Sequence, residues 1–321
     1  MPDAPTYPAR ASERDRFVLR RRGQRPAPDP WRHQGVILED EPSPRGGIDR
    51  VATVFLTGRE CPWRCAMCDL WQYTTTTDTP AGAIPAQIGR ARCEVGRAAM
   101  SAIKLYNAGS FFDPRAVPER DYPAIAAALA GLSRVVVESH PALVGPRVDR
   151  LQRELGRAGS RAPALEVAMG LETAHPEALE RLNKRFTVAQ FTAAARALRD
   201  RAITLRVFLL ISPPFVPAAE QETWLLRSLD AAFACGASVV SLIPTRGGNG
   251  TIEALAAEGS FAAPTLDGIQ RAFAAALRHG AGRGLVLLDL WDLDRFAANG
   301  RCAPHIRAAL DAMNQAQAVP A

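Results

Sequence analysis

Apolar runs of five to eight residues alternate with amphipathic stretches of helical period from about residue 50 to residue 290. That grammar predicts repeated βα units around a parallel sheet, because strands covered on both faces are continuously apolar while the covering helices show one apolar stripe. The predicted strands are "VATVFLT" (51–57), "AIKLYNA" (102–108), "RVVVES" (134–139), "LEVAMGLE" (165–172), "TLRVFLLI" (204–211), "SVVSLIP" (238–244) and "LVLLDL" (285–290). Helix starts are legible between them. Pro85 stands at an early helical position before "AQIGRARCEVGRAAM", Thr187 with Gln190 makes a capping box, and Thr265 caps the next stretch. Gly236 supplies a left-handed stop after the helix of 218–235. Six βα repeats and a seventh strand predict an α/β fold, a partial to near-complete (β/α) TIM-like barrel of six to seven parallel strands, whose chemistry belongs on loops after the strands' C-terminal ends.

The ends of the chain read differently. Residues 1–48 are rich in Arg and Pro and lack sustained period, so they predict a loose, irregular extension in which "RFVLRRR" forms a short helix or strand. The barrel is assigned to 49–295 and a short C-terminal helical tail to 296–321.

A net charge of +6 allows a nucleic-acid partner. Lys104 and Lys184 are the only lysines, however, so nearly all positive charge is arginine, a habit of GC-rich coding. Six cysteines are too few for a disulfide scaffold, and three are clustered. Charged residues occupy the N-terminus where a secretory signal would be apolar, and no run approaches a membrane span. Together these predict a cytoplasmic protein with a metal centre and no membrane partner.

The cluster is Cys61-x3-Cys65-x2-Cys68, on a polar loop directly after the first predicted strand. Three thiolates can hold a metal, form a redox pair or pack inertly. Structural zinc asks for four tetrahedral ligands, with His140 the available fourth. A four-iron, four-sulfur cluster takes one cysteine per iron, so three cysteines leave one iron open. An open iron can chelate the amino and carboxylate groups of S-adenosylmethionine, and one-electron reduction then releases methionine and a 5′-deoxyadenosyl radical.

This spacing after a barrel strand resembles the radical S-adenosylmethionine superfamily. Most members place an aromatic residue before the last cysteine. Here it is Met67, whose thioether can pack on adenine. The resemblance implies a [4Fe-4S] cluster on Cys61, Cys65 and Cys68, bound S-adenosyl-L-methionine, and a reducing partner such as flavodoxin or ferredoxin. It also implies that the small-residue turn Asn107, Gly109 and Ser110 contacts the methionyl amine. Glu172 either binds the ribose hydroxyls or is a helix N-terminal acid; Lys184 either nears the methionyl carboxylate or is solvated. Glu138 and His140 are candidate proton donors or acceptors, with a structural histidine the alternative for the second. Arg246 and its glycines suit an anion or a surface loop, and Cys302-x2-His305 shows two ligands at most. Cys93 and Cys235 are expected in the core.

"CPWRCAMCDLW", "YNAGSFFDP", "VVVESHP", "MGLETAHPEALERLNKRFT", "LLISPPF" and "VSLIPT" resemble one subgroup of that superfamily. It includes the radical enzyme of archaeosine synthesis and, more distantly, the radical domain of the elongator catalytic subunit. What this implies is a tRNA or modified-nucleobase substrate. Tailoring of a small metabolite or peptide, and a non-catalytic iron–sulfur or zinc sensor, stand as the alternatives.

Overall fold

A computed structural model describes residues 6–96, 100–298 and 300–320. It contains one mixed sheet of eight strands in sequential order. β1 (Gly35–Pro42) runs antiparallel to β2 (Ile48–Phe55). From β2 onward every pair is parallel: β3 (Ala102–Tyr106), β4 (Arg134–Glu138), β5 (Ala164–Glu172), β6 (Thr204–Ile211), β7 (Ala237–Pro244) and β8 (Leu285–Leu288). All seven strands expected from apolar runs are present, within three residues of their expected ends.

Helices cover the outer face. α2 (Ala83–Glu94) contributes Ile84, Ile88 and Ala91 to the main core, α6 (Val188–Arg199) contributes Phe191, Ala195 and Leu198, and α9 (Leu266–Gly280) contributes Ile269, Phe273 and Leu277. These spacings of three and four put each set on one helix face. The Thr187–Gln190 capping box forms, Thr265 accepts from the Gly268 N–H, and Gly236, at φ +87°, follows α7 (Gln221–Ala234). α2 ends at Glu94, short of the stretch predicted through residue 100; 97–99 lie outside the described residues. Cys93 is exposed, not in the core. It lies nine residues from Ile84, half a turn away from the buried stripe. Cys235 is buried as expected.

The N-terminal stretch is no loose extension. It holds α1 (Ala11–Arg21) and the whole of β1, which joins the sheet. Tyr7 buries its ring against both Phe17 and Phe215, and the Arg14 guanidinium reaches the Glu180 backbone and carboxylate. β1 escaped notice because its inward positions are charged. Glu39 and Glu41 face the barrel interior and pair with Lys104 of β3.

The sheet curls without closing, since β1 and β8 share no ladder among the described residues. α10 (Pro304–Ala316) packs against both edges. The Asn314 amide accepts from the Leu288 N–H (2.7 Å) and donates to the Leu288 carbonyl (2.9 Å); Gln317 does the same for Val286 at 2.8 and 3.0 Å. Two side-chain amides thus satisfy backbone groups of β8 that a ninth strand would otherwise meet. No helix among the described residues is long and apolar enough to cross a membrane.

Candidate functional site

Past β2 the chain turns into an irregular loop that carries Cys61, Cys65 and Cys68 over the C-terminal end of the barrel, all three thiols free and half-buried. Burial pushes the Cys61 thiol up to about 12, with Cys65 adding repulsion, and raises Cys65 and Cys68 as well. Thiols so placed lose their protons when a bound cation takes up the charge, which is how metal binding releases protons. Among the described residues no three Cys, His, Asp or Glu side chains converge on a single-ion site. A polynuclear cluster, taking one thiolate per iron, tolerates wider spacing than a tetrahedral zinc. The remaining cysteines stand apart: Cys93 on the exposed face of α2, Cys235 in the core, and Cys302 beneath the start of α10.

Below the loop opens a cavity of about 620 Å³, lined by Cys61, Cys65 and Cys68, by Met67, Gly109, Glu138, His140, Glu172 and Lys184, and lower down by aromatic and charged walls. Glu172 closes β5 with φ +67°, just past a bulge at Gly170. That conformation costs a non-glycine residue roughly 1–2 kcal/mol, and a 2.7 Å ion pair to the Lys184 Nζ holds it. Burial opposes the Lys184 ammonium, and the neighbouring Glu172 outweighs it, so Lys184 titrates above the ordinary lysine range. Gly170 makes room for the pair, since a Cβ there would lie 2.2 Å from Glu172 Oε1 and 2.8 Å from Lys184 Nζ.

The small-residue turn sits across from this pair. A Cβ on Gly109 would come within 3.2 Å of the Cys61 Cβ, so the turn's backbone lies directly against the cysteine loop. Ser110 bonds Ser139 at 3.1 Å. The Asn107 amide is fully buried, and neither its Oδ1 nor its Nδ2 has a partner. Met67 lines the cavity and packs against the smaller apolar cluster that includes Leu210 and Phe215.

Of the two candidate proton carriers, His140 is committed to structure. Its Nε2 donates to the Lys184 carbonyl at 2.8 Å, its Nδ1 accepts from the Ala142 N–H, and Trp63 stacks on the ring at 3.5 Å. Burial lowers it to about 4, so it is neutral at physiological pH. Glu138 is different: burial pushes its carboxyl up to about 7, against the pull of the Gly109, Asn107 and Ala108 N–H groups and of Lys184. Between its ordinary 4.5 and about 7 the folded chain keeps a proton that the unfolded chain releases, so this group's contribution to stability falls as pH rises through that window. Glu138→Gln is therefore expected to raise the unfolding free energy of the metal-free protein in urea at pH 8, by on the order of 1–3 kcal/mol, and to leave it almost unchanged at pH 4.5. Equal shifts at both values would contradict the assignment.

Arg246 meets no free anion site, being paired with Asp289 at 3.2 Å and Asp292 at 3.0 Å. Cys302 is buried while His305 is exposed, so they form no ligand pair. What the sequence pattern did not reveal is the charged floor of the cavity. Lys104, Glu166 and Arg206 point inward from β3, β5 and β6 and interlock with Glu41 and Arg134. The available signal was a charge at the third position of each of three largely apolar strands.

In fold, the curled half-barrel matches the partial barrel of solved radical S-adenosylmethionine enzymes. In sequence, the chain is similar to archaeosine synthase subunit beta of Methanosarcina acetivorans, 27% identical over 227 residues, 68% of this chain and 64% of that protein. The match thus spans less than two-thirds of the relative's length. In fold it is similar to an Elp3 of Methanocaldococcus infernus (TM-score 0.53, 12% identity, 72% of this chain and 58% of that one). It is likewise similar to a radical SAM methyltransferase from Sphaerobacter thermophilus (TM-score 0.51, 15% identity, 79% and 73%). No protein-family profile matches the chain.

Proposed function

We propose that this protein is a radical S-adenosylmethionine enzyme acting on a tRNA-borne or modified nucleobase. The observation that carries the reading is the placing of three free thiols, with no fourth cysteine beside them, at the mouth of a cavity whose other wall holds the buried Glu172–Lys184 pair. The residues fit the implied groups: soft thiolates suit iron–sulfur chemistry, Gly109 lets backbone approach closely, and the unpartnered Asn107 amide leaves donor and acceptor capacity unused. Bound there, a [4Fe-4S] cluster and S-adenosylmethionine would supply a 5′-deoxyadenosyl radical by reductive cleavage of the C5′–S bond.

The chain's own residues would do the rest. Cys61, Cys65 and Cys68 would hold three irons, and Glu172 would accept hydrogen bonds from the ribose hydroxyls. Lys184 would hold Glu172 in its left-handed conformation. Met67 would lie against the adenine, and Glu138, near its titration point at neutral pH, would carry a proton for the substrate. The lower cavity supports a nucleobase-like substrate. Phe55 and Trp291 pack edge to face at 5.0 Å, as do Tyr106 and Phe208 at 5.8 Å, and all four line it. Each basic side chain lining the cavity (Lys104, Lys184, Arg206 and Arg246) already pairs with carboxylates. Such a chamber suits a base taken out of its strand, with phosphates left outside. The relationship to an archaeosine synthase subunit supports the same substrate class.

The test is nucleoside mass spectrometry of tRNA digests and of free metabolites from cells with and without the gene. A nucleoside that accumulates on deletion supports the reading; a change confined to peptides or small metabolites sinks its substrate half. Gly170→Ala is expected to displace the Glu172–Lys184 pair and weaken S-adenosylmethionine binding about tenfold or more, a loss of roughly 1.4 kcal/mol, as read by equilibrium dialysis. Unchanged affinity in a folded variant would remove the pair from the cofactor site.

A further inference from the structure

We infer that Asn183 and Asn249 are positioning residues whose side-chain amides hold the cysteine loop in its ligating shape, and that α1 acts on the loop through the first of them. The inference rests on the metal-binding role proposed above for that loop. A loop of this kind normally exposes its carbonyls to water. Here the carbonyls that interleave with the last two cysteines are bonded to buried amides from two other loops. The Asn183 Nδ2 donates to the Arg64 carbonyl at 2.8 Å, and the Asn249 Nδ2 donates to the Ala66 carbonyl at 2.8 Å and the Cys68 carbonyl at 3.4 Å. Between them the Ala66 N–H donates to the Leu182 carbonyl at 2.9 Å, and Ala66 is fully buried.

Only a primary amide offers two donors on one nitrogen beside an acceptor, and both asparagines are anchored through what remains. Asn249 lies 3% exposed after β7, and its Oδ1 accepts from the Thr251 and Ile252 N–H groups at 2.9 and 2.8 Å, at the start of α8 (Thr251–Ala257). Asn183 lies after α5 (Pro176–Arg181) at φ +63°, and its second donor meets Asp15 Oδ1 of α1 at 2.8 Å. The other Asp15 oxygen receives Arg185 at 2.6 Å. Asn183 thus ties three things together: the N-terminal helix, the cysteine loop and the backbone next to Lys184. With Gly109 pressed against Cys61 from a third side, hydrogen bonds within the protein set the spacing of the thiols before any metal arrives.

Two readouts separate this inference from the proposed function. The first needs no metal: iodoacetamide labelling of each cysteine in the apo-protein, followed by mass spectrometry. Asn249→Ala, Asn249→Asp and Asn183→Ala are expected to speed labelling of Cys65 and Cys68 about tenfold, the factor carried by one ordinary hydrogen bond. Buried Cys235 and Cys302 should label at the wild-type rate, reporting an intact core. Asn249→Asp is the sharper variant, because it keeps the acceptor that caps α8 and loses only the donors to the loop. Asp15→Ala should reproduce part of the Asn183→Ala effect and add nothing to it in the double variant. The second readout is chelator-driven iron loss and the EPR g-values of the reduced, anaerobically reconstituted protein; faster loss and altered g-values are expected in all three asparagine variants. Wild-type labelling rates in folded Asn249→Asp and Asn183→Ala proteins would overturn the inference. Changed labelling in a chain whose wild type takes up no cluster would leave the positioning role standing and overturn the proposed function instead.

Discussion

Cys65→Ala is expected to reduce release of 5′-deoxyadenosine and methionine to the level seen without protein, measured by liquid chromatography and mass spectrometry under dithionite. Cys61→Ala and Cys68→Ala should behave alike. Each thiol would serve one iron, and no other cysteine is placed to replace it, because Cys93 lies on the exposed face of α2, Cys235 lies in the core and Cys302 beneath α10. The loop should keep its course in the variants, since its contacts to Asn183, Asn249 and Leu182 are made through backbone groups. Lost activity would then report lost ligation and not unfolding. Residues that only orient metal ligands cost about 10–100-fold when removed. Cleavage above about one-hundredth of the wild-type rate would therefore take Cys65 out of the ligand set.

The largest stability effect is expected at Arg206, 1% exposed, whose guanidinium bonds Glu166 at 2.6 Å, Glu41 at 2.7 Å and Ser241 at 3.2 Å. Burying three cations and their carboxylate partners beneath the cavity is costly, and the arrangement holds because every charge has partners. Arg206→Met leaves Glu41 and Glu166 with Lys104 and Arg134 alone. Removing one member of such a group costs about 3–5 kcal/mol, a large share of the 5–15 kcal/mol that separates a typical folded domain from its unfolded state. Urea unfolding of the variant should show that loss. The double variant Arg206→Met/Glu166→Gln should lose less than the sum of its parts, because the second change removes a carboxylate the first left short of partners. A loss below about 1 kcal/mol for Arg206→Met would mean the network is solvated in solution.

Much of the fold was legible because parallel strands covered on both faces announce themselves as apolar runs. β6 was located to the residue, and Thr187, Gly236 and Thr265 punctuate helices where local chemistry says they should. β1 was not legible. Its period is real, but charged Glu39 and Glu41 face inward, so a hydrophobic pattern cannot detect it; Lys104, Arg134 and Arg206 on other strands make those positions tolerable. α1 read as a short helix or strand because its buried face includes Arg14, whose ion-pair partner Glu180 lies 166 residues away.

The site divides in the same way. The cysteine spacing is a local pattern, so it survives as a sequence signal, and the turn at 107–110 and Glu172 followed from their places at strand ends. Whether Glu172 was free or paired, whether His140 carried a proton or held a carbonyl, and what held the cysteine loop depended on side chains meeting across the barrel. By itself the sequence determined the alternation of strands and helices, the clustering of three thiols and the end of the barrel that carries them, because these depend on period and short spacing. The tertiary structure alone decided the inward charges, the two-amide clamp and the neutral state of His140. Those follow from burial and from distances between residues far apart in the chain, which no local pattern records.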